Sequence, residues 1–207
     1  MSFANDRDAF FAVMQSRVHE VWARFFGSSM KDDLRYTPSD CFETFPFPRG
    51  WEESATLEDI GRRYDAHRAA VMKRTIGTKR PEGLTATYNR FHDANERAPE
   101  IATLRALHAA MDRAVLDAYG WDDLRPTYDF RAQLDERVRY TWDDDTRDEV
   151  LARLLEENRQ RAGASEAAAA VQAAADEGAT AVAATPTKRG RKKKGDDAGG
   201  PGLPGVA

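Results

Sequence analysis

The stretch PEIATLRALHAAMDRAVLDAYGW, residues 99–121, sets the fold class. Pro99 suits a first helical turn, where its missing N–H is not needed. Ile101, Leu104, Leu107/His108, Met111 and Val115 recur every three or four positions, so they share one face of a helix, and Tyr119-Gly120 supplies its stop. The same period appears on either side. Phe11, Met14, Val18, Val21, Trp22 and Phe25 predict a single helix that starts at Asn5 or Asp6 and stops at Gly27. Leu57, Ile60, Tyr64 and Val71 predict another, capped by Ser54 or Thr56. A last one follows Asp143 to Asp145 and Thr146, with Val150, Leu151, Leu154 and Leu155 expected to be buried. Between the helices lie three connectors, Tyr36 to Trp51, Gly83 to His92 and Trp121 to Trp142, and Arg137 to Trp142 alternates like a short strand. The expected fold is mainly α, with long structured aromatic and proline-rich connectors and at most short strands.

The chain has 207 residues, 31 Lys plus Arg against 35 Asp plus Glu, and a net charge of −4. That balance argues against a protein whose whole surface binds nucleic acid. No run approaches ~18 consecutive apolar residues, so no membrane partner is expected. Met1 to Arg7 lacks the basic-then-apolar order of a secretory signal, and a lone cysteine, Cys41, fits a reducing compartment; the expected location is the cytoplasm. A compositional seam falls at Gly163. No aromatic residue follows it, and 14 of the last 45 positions are Ala and 8 are Gly, too little apolar surface to offset ordering entropy. Residues 163–207 are therefore expected to form a disordered tail, in which Ala164 to Ala184 retains helix propensity. All six basic residues of the tail, Lys188, Arg189, Arg191, Lys192, Lys193 and Lys194, lie in one run, while the body before the seam carries 25 basic and 30 acidic residues.

Catalytic signatures are missing. There is no P-loop, and no Cys or His pair at metal spacing. His108 is expected to be a hydrogen-bonded core histidine and Cys41 a buried, inert thiol. Asp122-Asp123 and Asp143-Asp144-Asp145 adjoin helix ends, where carboxylates serve as caps rather than metal ligands. No catalytic, cofactor-binding or metal residue is assigned, and the chain is not expected to be an enzyme by itself.

Two segments are more specific. One is LRYTPSDCFETFPFP, residues 34–48; the other is GLTATYNRFHD, residues 83–93, followed by the helix at Leu104 to Trp121. Together they resemble the C-terminal part of large bacterial N6-adenine DNA methyltransferases of the single-chain restriction–modification and phage-defence type. The resemblance covers roughly residues 8–161. It implies the end of a target-recognition region at 1–50 and a helical C-terminal domain at 51–162. It also implies that S-adenosylmethionine belongs to a catalytic domain outside this chain, since neither the cofactor loop nor the Asn/Asp-Pro-Pro-Tyr/Phe motif is present. The implied partners are double-stranded DNA and a separate or upstream-encoded methyltransferase domain.

The resemblance also implies site residues. Two positions just before the Arg35-Tyr36-Thr37 motif read one base pair in such enzymes, and here they hold Lys31 and Asp33. Lys donates to guanine O6 and N7 and Asp accepts from cytosine N4, which suits a G·C pair; a solvated turn is the other reading. Arg35, Arg90 and the Lys188–Lys194 run are candidates for phosphate contact. Tyr36 is either a phosphate contact or a packed ring. Phe45-Pro46-Phe47-Pro48 is expected to be an extended strap, because each Pro pushes the preceding Phe out of helical space. Tyr88, Asn89, Arg90 and His92 either line DNA or form an internal network. The competing functional reading is a helical interaction or scaffold protein derived from such an enzyme, without DNA binding, which the acidic body favours.

Overall fold

The computed structural model describes residues 6–30, 33–74, 82–133 and 137–183. Residues 1–163 form one compact unit and residues 164–207 a second. Among the described residues, seven helices carry the first: α1 (Asp8–Gln15), α2 (Arg17–Phe26), α3 (Pro38–Cys41), α4 (Ala55–Lys73), α5 (Leu84–Phe91), α6 (Pro99–Ala118) and the opening turns of α7 (Asp144–Ala183). Two antiparallel hairpins complete it: β1 (Ser28–Met30) with β2 (Asp33–Arg35), and β3 (Tyr128–Ala132) with β4 (Val138–Trp142). The mainly α expectation holds.

The first expected helix is two. The chain breaks at Ser16, whose φ of −68° and ψ of 158° are extended, and the Ser16 side chain accepts from the His19 N–H to cap α2. The bend lets both segments bury a face: Ala9, Ala12 and Val13 from α1, and Val18, Val21 and Trp22 from α2. Phe25, expected on the apolar face, is 54% exposed near the C-terminal end of α2. Helix α4 begins at its Ser54 cap and α6 at Pro99, both as expected. Gly120 takes φ 76° past the end of α6, which lets Trp121 N–H bond Leu116 O and Gly120 N–H bond Asp117 O, the Schellman closure. Helix α7 is capped by Asp143, whose carboxylate accepts from Thr146 N–H at 2.8 Å. Val150 and Leu154 are buried, while Leu155 is 37% exposed.

Two connectors hold more structure than their composition implied. Gly83 to His92 contains α5, and Trp121 to Trp142 folds back as β3 and β4, of which only the second was anticipated. The expected extended strap at Phe45 to Pro48 is instead irregular, with Phe47 N–H turned back to Phe45 O at 3.0 Å and Pro46 O accepting from Tyr119 OH at 2.8 Å. Position 50 is no seam in the packing. Trp22 and Phe45 share one core with Leu57, Val115, Trp142 and Leu154, and Ala12 joins Ile60, Tyr64 and Met111 in another. Apolar faces from both sides of that line bury each other, so the first 50 residues have no separate core. Helix α7 continues past Gly163 through the Ala-rich stretch to Ala183, consistent with the propensity of Ala.

Helices α1 and α4 approach at one glycine. A Cβ on Gly61 would stand 2.1 Å from the backbone oxygen of Asp8, while Ala9 N–H is held by Glu58 Oε2 at 2.8 Å across the same contact. Gly61→Ala is therefore expected to force the helices apart and cost about 1–3 kcal/mol despite the better helix propensity of Ala, measured as a drop in thermal midpoint; an unchanged or raised midpoint would contradict this packing.

Candidate nucleic-acid interface

The hairpin that follows α2 carries the positions implied in base reading. Gly27 ends α2, and the chain passes directly into β1. The register pairs Ser28 with Arg35, Ser29 with Leu34 and Met30 with Asp33, so positions 31 and 32 connect the strands. Lys31 lies outside the described residues; Asp33 is the first residue of β2. Arg35 closes β2, exposed and without an ion pair among the described residues.

A two-stranded hairpin of three residues per strand is marginal by itself, so its root has to be held. Helix α2 holds one side, and the chain after β2 is stapled back onto the same helix. Tyr36 OH lies 3.2 Å from His19 Nε2, so its hydroxyl is engaged within the protein, while the residue stays 39% exposed. Thr37 O accepts from Cys41 N–H at 2.8 Å in α3, and Cys41, fully buried, turns its Sγ to Ala23 O at 3.8 Å. Trp22 Nε1 donates to Thr44 Oγ1 at 3.3 Å, and the Phe45 ring meets His19 edge-on at 4.7 Å.

Beneath the root is a buried polar node. Asp112 has no exposed surface and accepts from Arg17 N–H at 2.8 Å, Tyr128 OH at 2.8 Å and His108 Nδ1 at 3.2 Å. Arg17, only 4% exposed, donates to Glu20 Oε2 at 2.8 Å and to Tyr140 O in β4. His108 is thus the bonded core histidine expected. The sequence marked Asp112 too, as a charge four residues after His108 on the same apolar stripe, yet its role went unread.

Arg90 is placed away from any free surface role. Its guanidinium donates to Glu96 at 2.6 Å, Glu100 at 3.0 Å and Glu82 at 3.1 Å, tying α5 to the start of α6. Those bonds hold Glu96 and Glu100 below the usual carboxylate range. A phosphate would have to displace three carboxylates, so the internal network is the reading the geometry favours. Tyr88 OH lies 3.0 Å from Tyr64 OH, and His92 Nδ1 accepts from Tyr140 N–H at 3.1 Å. Asp123 pairs with Arg153 at 2.6 Å, and the described residues hold no group of three His, Cys, Asp or Glu able to bind a metal. Lys188, Arg189, Arg191, Lys192, Lys193 and Lys194 lie outside the described residues.

Comparison with known proteins bears on this segment directly. Residues 2–49 match the family model of the MmeI target recognition domain. Among solved structures the chain resembles one described as the Type IIL restriction–modification enzyme MmeI in complex with DNA, at 19% identity and a TM-score of 0.52. The likeness covers 77% of this chain and 17% of that one, and at such identity it speaks for the fold. None of the curated proteins matches the chain. Residues 2–49, with α1, α2 and the hairpin, are thus similar to a target recognition domain of the MmeI kind, and the chain spans about a sixth of that enzyme's length.

Burial depresses His19 and His92 to about 4, both below the ordinary 6.5. Above pH 6.5 each ring is neutral folded or unfolded, and stability is unaffected. Below it the unfolded chain takes up protons that the folded one refuses until pH falls to about 4. Stability is therefore expected to fall between those limits, with His19 alone accounting for something on the order of 3 kcal/mol. Thermal midpoints measured from pH 7 to 4 check this; a flat profile contradicts it.

Proposed function

We propose that this chain is the target-recognising and helical C-terminal portion of a site-specific adenine-N6 DNA methyltransferase of the MmeI-like restriction–modification kind. The observation that carries the reading is the clamped hairpin, which lies inside the segment that matches a target recognition domain and whose second strand opens at Asp33. A short rigid hairpin entering the major groove brings side chains two positions apart to one base pair, Lys31 toward guanine O6 and N7 and Asp33 toward cytosine N4. Arg35, exposed at the end of β2, is the candidate to meet a phosphate beside that base pair.

The methyl transfer belongs to a partner domain. Among the described residues the strands form two antiparallel hairpins, not the parallel strand–helix–strand arrangement that cradles S-adenosylmethionine. Its own residues position the duplex: the hairpin sets the register of the target, and the helical body holds the hairpin steady while the partner domain takes the adenine out of the stack. A cytoplasmic location accords with this role. The run from Lys188 to Lys194 adds sequence-independent affinity by neutralising phosphates.

Two measurements test the reading. Lys31→Glu together with Asp33→Arg, made in a competent enzyme carrying this segment, is expected to change the methylated sequence at one base pair; an unchanged map of N6-methyladenine overturns the assignment. Removing residues 185–207 is expected to lower the slope of log affinity against log salt by about 0.9 for each phosphate no longer neutralised, with the base preference intact. The acidic body, 25 basic against 30 acidic residues, favours a second reading, a helical interaction protein that does not bind DNA. Absence of any salt-dependent DNA binding decides for that one.

A further inference from the structure

A cavity of about 400 Å³ opens at the root of the hairpin, between the Ser16 bend, α5 and α6. We propose that it binds a nucleobase, presented either by a free nucleoside or by an unpaired nucleotide of DNA. Its volume lies within the range of small-molecule sites. Aromatic and imidazole rings line it: His19 and Tyr36 on the hairpin side, Tyr88, Phe91 and His92 on α5 and its end, and His108 on α6.

The polar atoms around it suit a flat, uncharged heterocycle. Each imidazole has one nitrogen committed to the protein and one that is not. His92 Nδ1 accepts from Tyr140 N–H, which puts its proton on Nε2 as a donor without a partner among the described residues. His108 Nδ1 faces Asp112, leaving Nε2. His19 faces Tyr36 OH through Nε2. A heterocycle carrying both donors and acceptors meets such nitrogens along its edge and stacks on the rings.

Other ligand classes fit less well. An anion would meet Glu20 on the wall, and the one wall cation, Arg17, already donates to Glu20, Thr141 and the Tyr140 carbonyl. The three histidines do not converge at metal-binding distance. The inference does not depend on base reading by Lys31 and Asp33, because a free nucleoside can occupy the cavity without duplex DNA.

The test is fluorescence titration of the full chain with 2-aminopurine riboside, with duplexes holding one unpaired 2-aminopurine, and with fully paired duplexes. Saturable quenching of the riboside, or of the unpaired base in preference to the paired one, is expected, and which probe responds identifies the source. Gln15→Trp fills the cavity wall from a half-buried position that makes no side-chain hydrogen bond among the described residues. It is expected to weaken binding at least about tenfold with an unchanged thermal midpoint. His92→Phe keeps a ring but removes the Nε2 donor and is expected to lose several-fold. Failure of both the riboside and the unpaired base to saturate overturns the proposal. So does equal binding of paired and unpaired duplexes that Gln15→Trp leaves untouched, an outcome that would leave the hairpin reading standing.

Discussion

The carboxylate of Asp112, sealed from solvent, is the constraint on which the other elements depend. Its partners come from three places: the first N–H of α2, the His108 ring one turn back on α6, and the Tyr128 hydroxyl on β3. A charge in such surroundings is tolerable only when its lone pairs are filled, and each partner is therefore drawn to a defined position. Because Arg17 is both the residue whose N–H binds Asp112 and the residue whose guanidinium reaches Tyr140 O, the node also fixes β4. The break at Ser16 follows from it. A straight helix through residues 8–26 could not present the Arg17 N–H to a side chain, since that N–H would be bonded to the helix's own carbonyl four residues back.

That geometry decides where the hairpin points. Helix α2 leaves the node at a set angle, ends at Gly27 and launches β1 without slack. After β2 the chain returns to the same helix through Tyr36, Cys41, Thr44 and Phe45, each touching a residue of α2. The two ends of the hairpin are thus referred to one rigid rod. The clamp runs through those four residues, so the packed root holds both ends of the hairpin.

The helical fold was legible because it rests on local periodicity. The stripe from Ile101 to Val115 and the stop at Gly120 survive unchanged, as do the Ser54 cap and the buried set Leu57, Ile60, Tyr64 and Val71. Short elements were not legible. Strands of three residues at 28–30 and 33–35 carry too few positions for alternation to register, and α5, eight residues of mixed polarity, looks like a connector until Phe91 and Thr87 find their core. Of the site, the Arg-Tyr-Thr and Thr-Phe-Pro-Phe-Pro residues pointed to the right segment. The engagement of Arg90 by three carboxylates did not show, because Glu82, Glu96 and Glu100 lie six to ten residues away on different elements.

By itself, then, the sequence determined which segments are helical, where their caps fall, that aromatic residues concentrate before Gly163, and which short segment resembles a target recognition domain. These depend on residue type and near-neighbour spacing. Only the tertiary structure decided that Asp112 is a hub, that the first helix bends at Ser16, and that residues on both sides of position 50 share a core. It alone brought His19, His92 and His108 around one cavity. Those outcomes depend on groups as much as 95 positions apart, such as Arg17 and Asp112, meeting where water is excluded. The cost of leaving a buried polar group unpaired then selects one arrangement, and no local pattern records it.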